Sequence, residues 1–340
     1  MVTRLTKSLL KTKALPISDI LMFSSQLQKR PGPYLIVITG PTGVGKTRIC
    51  TELAKAFDSP VISADSRQMY REMKIGTAVP SLQQLKKAKH YFIGNLSIHD
   101  YYNASMFEME CLELLERLFK TKKIVFMAGG SGLYIDAVCR GIDDLPAVEN
   151  ELRDELAAQY RSHGIMWLRS KLKKLDPEHY KVVDLKNPNR ILKALEISLM
   201  TGKPYSSFLT GKITERNFGI VKTGLNLERK KLYEIINSRV DKMIEEGLLR
   251  EAENLYRFRH LNALNTVGYK ELFDYMDGSA TFEKAVELIK RNSRRYAKRQ
   301  LTWLARDKDI QWFHPEDLTG ILNFIVKQTG ISGTNLLSDR

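Results

Sequence analysis

Cysteine is scarce in this chain. Cys50, Cys111 and Cys139 are the only thiols in 340 residues, with no C-x-x-C pair and no Cys/His quartet at finger spacing. Neither a disulfide framework nor a structural zinc site is indicated. No apolar run approaches the roughly 20 residues that a membrane-crossing helix needs, so no membrane partner is expected. Acidic residues are also few. Lys and Arg number 54 against 39 Asp and Glu, a formal charge of +15. Such a field attracts polyanions, nucleic acid foremost, although a solvated basic surface without a partner stays open from charge alone. The six histidines stand singly, and none is assigned to catalysis. Internal repeats and low-complexity tracts are missing, and 43% apolar content is ordinary for a chain that buries a core.

The first 33 residues carry Arg4, Lys7, Lys11, Lys13, Lys29 and Arg30 against one acidic residue, Asp19. That composition resembles an organelle transit segment, while a poorly ordered leader explains it equally well. Residues 1–33 are therefore set outside the fold.

One motif stands out against this background. Gly40, Pro41, Thr42, Gly43, Val44, Gly45, Lys46 and Thr47 complete the pattern G-x-x-x-x-G-K-[ST] directly after the apolar run Tyr34 to Thr39. Backbone N–H groups of such a loop turn toward a diphosphate, and the following helix adds its positive dipole end. Lys46 adds a point charge, and the Thr47 hydroxyl is a ligand for Mg²⁺.

The pattern of apolar residues predicts strands at Tyr34 to Thr39, Pro60 to Ala64 and Lys123 to Met127, with helices at Lys46 to Phe57 and Ser105 to Phe119 between them. Strands alternating with helices imply an α/β fold, a P-loop NTPase-like parallel sheet flanked by helices. Ligands of such sheets lie at the carboxyl ends of the strands. The phosphate loop, the segment Asp65 to Gln68 and the turn Gly129-Gly130-Ser131-Gly132 are expected to converge there. Helical spacing at Glu149 to Arg161, Met166 to Leu175 and Asn189 to Met200 predicts a helical insertion domain over 145–205. The sheet resumes with Val221 to Asn226. The catalytic core is then 34–144 with 206–320, mainly helical from Lys230 to Arg306, and 321–340 is a tail.

A phosphate-loop ATPase usually has an Asp ending a hydrophobic strand to order the Mg²⁺ shell, yet Ile124 to Met127 runs into Ala128-Gly129-Gly130. The carboxylate expected to face the phosphate site is Asp65, either as a catalytic group or as a cap for the following turn. Between Lys290 and Gln300, cations recur three and four residues apart. Like charges so spaced repel by a few tenths of a kcal/mol per pair, so an anion is expected to offset them.

Several motifs together carry a resemblance. They are the phosphate loop, Asp-Ser-Arg-Gln-Met-Tyr at 65–70, Ile-Gly-Thr-Ala at 75–78 and Gly-Gly-Ser-Gly-Leu-Tyr at 129–134. Asn-Pro-Asn-Arg at 187–190, Val-Gly-Tyr-Lys-Glu-Leu at 267–272 and Ala-Lys-Arg-Gln-Leu-Thr-Trp at 297–303 complete the set. From about Tyr34 to Phe313 the chain resembles the bacterial-type tRNA dimethylallyltransferases, also called tRNA isopentenyltransferases. The resemblance implies transfer of a dimethylallyl group from its diphosphate to N6 of the adenosine next to the anticodon, with release of diphosphate. The phosphate loop, 40–47, would hold the prenyl diphosphate rather than ATP, with Mg²⁺ on Thr47.

By the same resemblance Asp65 is the general base, Arg239 steadies the diphosphate, and Thr42 and Lys46 complete the catalytic set. Asp65, Ser66, Arg67, Gln68, Ser131, Arg153, Asn189, Arg190, Lys193, Thr266, Gly268, Tyr269 and Lys270 would touch tRNA, with the insertion clamping the anticodon stem-loop. A helix-surface ion pair with Asp241 or Glu245 is the competing role for Arg239. The family further implies a monomer in the cytoplasm, or in an organelle if residues 1–33 are a transit segment. Val79, Ser131 and Asn189 depart from the usual family residues, and Val79 removes a charge near the cleft. Three alternatives stay open from sequence: an adenylate isopentenyltransferase acting on free nucleotides, a small-molecule kinase of the shikimate-kinase type, and an RNA-binding module without catalysis.

Overall fold

The computed structural model describes residues 32–333 apart from 144 and 147. The expected leader, except Gly32 and Pro33, lies outside the described residues, as does 334–340 of the expected tail. Among the described residues no helix is long and apolar enough to cross a membrane. The chain divides into two compact units.

The first unit, built from residues up to 100, 115–132 and 217 onward, carries the sheet. Its strands are β1 (Tyr34–Thr39), β2 (Val61–Ser63), β3 (His90–Tyr91), β4 (Ile124–Gly129), β5 (Gly219–Leu225) and β6 (Gln311–Phe313), in the order β3-β2-β4-β1-β5-β6. All neighbours are parallel. Central β1 is the sequence Tyr-Leu-Ile-Val-Ile-Thr, and Leu35 to Ile38 are completely buried, as a strand covered on both faces requires. β3 and β6 were not expected from sequence: β2 is as short as β6 but lies fully buried in an apolar run, whereas β3 and β6 are only partly buried.

Helices Lys46–Ala56 and Arg229–Glu245 send Ile49, Leu53, Leu232 and Ile236 into the same core as Ile36, Ile38 and Phe126. That core also takes Ile321 and Ile325, both fully buried on the helix Leu318–Thr329. The expected tail thus begins inside the fold, with Ile321 and Ile325 one turn apart packed into the sheet core. A second cluster gathers Met73, Leu248, Leu264, Tyr269, Leu272 and Phe273 around helices Leu248–Leu255 and Tyr269–Met276.

The second unit is helical and comprises 101–114 with 133–216, wider than the predicted 145–205. Its additional parts are held by Phe107 against Tyr134, with ring centroids 5.0 Å apart, and by Arg216, which meets Glu108 at 2.5 Å and donates to the carbonyls of Ala137 and Val138. Those stretches look like ordinary crossover helices in sequence, and only their long-range partners reveal where they belong. The helix Asn150–Leu175 kinks at Gly164, whose φ of 72° is left-handed, which explains why the sequence reads as two helical segments there. Leu156, Leu168 and Leu172 pack with Ile191 and Leu195 of the helix Pro188–Thr201. That helix starts on the Asn-Pro-Asn-Arg motif: the Asn187 side chain accepts the Arg190 N–H at 3.3 Å and Pro188 occupies the first turn.

Candidate active site

In the first unit the phosphate loop leaves the carboxyl end of β1 and turns into its helix at Gly45, a left-handed position with φ 96°. It borders a cleft of about 1010 Å³ that is also lined by Asp65, Ser66, Arg67 and Gln68 beyond β2 and by the helix Phe282–Leu304. Lys46 Nζ donates to the carbonyls of Gly40 and Pro41, both at 2.9 Å. Desolvation lowers its pKa to about 8, with Asp65 opposing that shift and Arg239 adding to it. Thr47 lines the cleft beside it.

Asp65 Oδ1 accepts the Arg67 amide at 3.0 Å, which caps the turn and fixes the carboxylate. The capping role considered for Asp65 is therefore met by Oδ1, and Oδ2 is left without a hydrogen bond among the described residues. Arg239 points inward: its Nη1 donates to Thr42 Oγ1 at 3.3 Å, and burial lowers its pKa, with Asp65 partly offsetting the shift. The competing surface role is not observed: among the described residues Arg239 pairs with neither Asp241, which meets Lys290, nor Glu245.

The Gly129 to Gly132 turn behaves differently from expectation, because it backs the cleft instead of lining it. Ser131 Oγ accepts the Ser66 N–H at 3.0 Å and donates to Ser66 Oγ at 3.3 Å, so it holds the segment next to Asp65. Gln300 bridges this turn to the phosphate loop. Its Oε1 accepts the Thr42 N–H at 2.7 Å and its Nε2 donates to the Gly130 carbonyl at 3.0 Å. A Cβ on Gly130 would fall 2.2 Å from Gln300 Nε2, and one on Gly132 would fall 2.2 Å from the Trp303 ring. Small residues are needed at both positions for the close approach of that helix. Tyr296, on the same helix, faces the cleft; burial and the Asp65 charge push its phenol up to about 12, against the hydrogen bond with Ser131.

The expected RNA-contacting set divides. Thr266, Gly268, Lys270 and the half-buried Arg67 line the cleft, the Arg67 Nη1 donating to the Asn262 carbonyl at 3.0 Å. Tyr269 is fully buried and is corrected to a structural role. Its hydroxyl donates to Glu251 at 2.7 Å, and that carboxylate also accepts the backbone N–H groups of Lys74, Ile75 and Gly76. Gln68 borders the cleft, but its amide already bonds Ser63 and the carbonyls of Thr77 and Ala78. In the second unit, Asn189 and Arg190 are exposed on the first helical turn, Lys193 lies one turn on, and Arg153 meets Glu196 at 3.5 Å.

The basic helix is sorted by its contacts. Lys290 pairs with Asp241, and Arg294 donates to Asn237 at 2.6 Å. Arg291, Arg295 and Arg299, four residues apart, line the cleft, with no carboxylate partner among the described residues. Sequence reading missed Gln300 and Tyr296, although a polar residue on the inward face of an amphipathic helix was the available signal for Gln300.

A family model described as IPP transferase matches residues 68–307. The tRNA dimethylallyltransferase 1 of Bacteroides thetaiotaomicron is 51% identical over 86% of this chain and 95% of its own length. The chain belongs to the tRNA dimethylallyltransferase family. Its relative from Phocaeicola vulgatus, of the same name, is 52% identical over 86% of this chain and 97% of its own. Among solved structures, the full-length tRNA isopentenylpyrophosphate transferase of Bacillus halodurans superposes with a TM-score of 0.65 at 36% identity, covering 87% of this chain and 97% of that one. A eukaryotic dimethylallyltransferase acting on tRNA gives a TM-score of 0.72 at 25% identity, covering 89% and 81%.

No group of three or more His, Cys, Asp or Glu that could hold a metal occurs among the described residues. Mg²⁺ commonly keeps its waters and takes one or two protein donors with phosphate oxygens. A single hydroxyl, Thr47, beside a diphosphate loop fits that mode of binding.

Proposed function

We propose that this chain is a tRNA prenyltransferase that moves a dimethylallyl group from dimethylallyl diphosphate to N6 of the adenosine next to the anticodon. The observation that carries the chemistry is Asp65, with one oxygen held by the Arg67 amide and its charge felt by both Lys46 and Arg239. Adenine's exocyclic amine is a weak nucleophile because its lone pair is delocalised into the ring. As the bond from N6 to the prenyl carbon forms and the bond from that carbon to the diphosphate oxygen breaks, the amine's proton passes to Asp65. Lys46, Arg239 and the loop amides receive the charge growing on the departing diphosphate. Thr42, held by Gln300 and Arg239, orients the reacting groups. Bound at Thr47, Mg²⁺ would supply further charge neutralisation on the diphosphate.

The base must leave its stack to reach a cleft of this kind, at a cost of a few kcal/mol that is smallest in a single-stranded loop. An anticodon loop meets that condition, and Arg291, Arg295 and Arg299 supply phosphate contacts. The test is transfer of radiolabelled dimethylallyl to unmodified tRNA and, separately, to AMP and ATP. Label is expected in tRNA alone, and Asp65→Ala should lower the rate by at least about 10²-fold, the low end for positioned proton transfer. Label in free nucleotide would instead favour the adenylate-type activity, and no transfer at all would overturn the reading.

A further inference from the structure

Apart from the cleft, the second unit presents an aromatic side chain to solvent. Tyr101 is 56% exposed, unusual for so large a ring. It is not loosely held. Asn103 Nδ2 donates to its hydroxyl at 3.3 Å, while Asn103 Oδ1 accepts the N–H groups of Ser105 and Met106 at the start of the helix Ala104–Phe119. The Arg153 guanidinium lies 5.4 Å from the ring centroid and is itself anchored on Glu196, a largely buried carboxylate. Lys193, on the same helix as Glu196 and three residues before it, adds a second positive charge. Partial burial by itself would raise the phenol, but the bonds from Asn103 and Arg153 and the charges of Arg153 and Lys193 bring it below its ordinary value.

A ring more than half exposed, with one guanidinium over it and a second cation nearby, matches an unpaired nucleotide: the base has a π-face for the ring, and its flanking phosphates complement the charges. We propose that Tyr101 is a stacking platform for an unpaired base of the RNA, with Arg153 and Lys193 holding the adjacent phosphates. The inference rests on the RNA reading above and adds a contact outside the reaction centre. Stacking and phosphate contacts differ in one measurable respect. Phosphate contacts release counterions and set the slope of log affinity against log salt, whereas stacking shifts affinity without changing that slope.

The experiment is fluorescence anisotropy with a labelled synthetic anticodon stem-loop, on the full chain and without prenyl donor, across a salt series. Tyr101→Ala should weaken binding about 5- to 100-fold with the slope unchanged, the range that stacking spans. Tyr101→Phe should stay near wild type, Tyr101→Trp should bind at least as tightly, and Lys193→Gln should reduce the slope by about one. Tyr101→Trp cannot owe its affinity to misfolding, so it decides the matter if the alanine variant fails to fold. Unchanged binding in Tyr101→Ala, equal losses in Tyr101→Phe, weakened binding in Tyr101→Trp, or a loss accompanied by a shallower slope would overturn the stacking role, the last by assigning Tyr101 to the support of Arg153. Because no transfer is measured, a wild-type protein that binds RNA yet transfers nothing defeats the transferase reading and leaves this inference standing.

Discussion

Lys46 is a residue whose chemistry is set by its surroundings more than by its type. Buried beside Arg239, it falls from 10.5 to about 8, so above pH 8 the ligand-free protein holds it mainly neutral. A diphosphate needs the cation and must bring a proton with it there. Affinity for the fully ionised dimethylallyl diphosphate is therefore expected to fall by up to about tenfold per unit above pH 8. Titration calorimetry in buffers of different ionisation heat should show proton uptake on binding, and Lys46→Met should abolish it. Stability runs the other way. Between pH 8 and 10.5 the unfolded chain binds more protons at this position, so wild type should gain stability relative to Lys46→Met as pH rises through that window. Affinity that stays constant to pH 9.5 would remove the ammonium from the diphosphate site.

The phosphate loop owes its shape partly to a helix some 250 positions away in the chain, through the Gln300 amide. Gln300→Met keeps the volume but leaves the Thr42 N–H and the Gly130 carbonyl unpaired, costing about 1–3 kcal/mol for each buried group. The expected result is a clear drop in melting temperature together with a fall in kcat for transfer of about tenfold or more. Gly130→Ala, which drives a methyl group against the same amide, should reproduce both effects; normal kcat in either variant would dissociate the bridge from catalysis. This dependence also explains what could be read from sequence. The phosphate loop was legible because its glycines, Lys46 and Thr47 are neighbours in the chain, and β1, β2, β4 and β5 because apolar runs alternate with helices. β3 and β6 are only partly buried and carry no such run. Tyr269 was misread because burial depends on Glu251 and the backbone at Lys74 to Gly76, which sequence does not bring together. The turn at Gly129 was expected to border the cleft, yet Gly130 and Gly132 are required by Gln300 and Trp303 of a helix that packs against them.

Charge links these parts. The excess of 15 positive charges is not spread evenly in its effects: Lys290 and Arg294 are engaged within the protein, while Arg291, Arg295 and Arg299 stand one helical turn apart along the cleft. Such spacing repels by a few tenths of a kcal/mol per pair in the free protein and is offset when phosphates arrive. Changing all three to Gln should then have opposite consequences for the two states. The free protein should melt at the same temperature or slightly higher, because repulsion is relieved. Binding to an anticodon stem-loop should weaken, and the slope of log affinity against log salt should fall by about two, at roughly 0.7 per single-strand phosphate contact. A lower melting temperature with an unchanged slope would make the three arginines structural. Lys46 follows the same logic within the loop, where a cation that burial disfavours in the free protein is restored by the anion. In both places the site is least comfortable when empty, and binding energy is drawn from relieving that tension, so salt and pH should act on affinity and on stability with opposite signs.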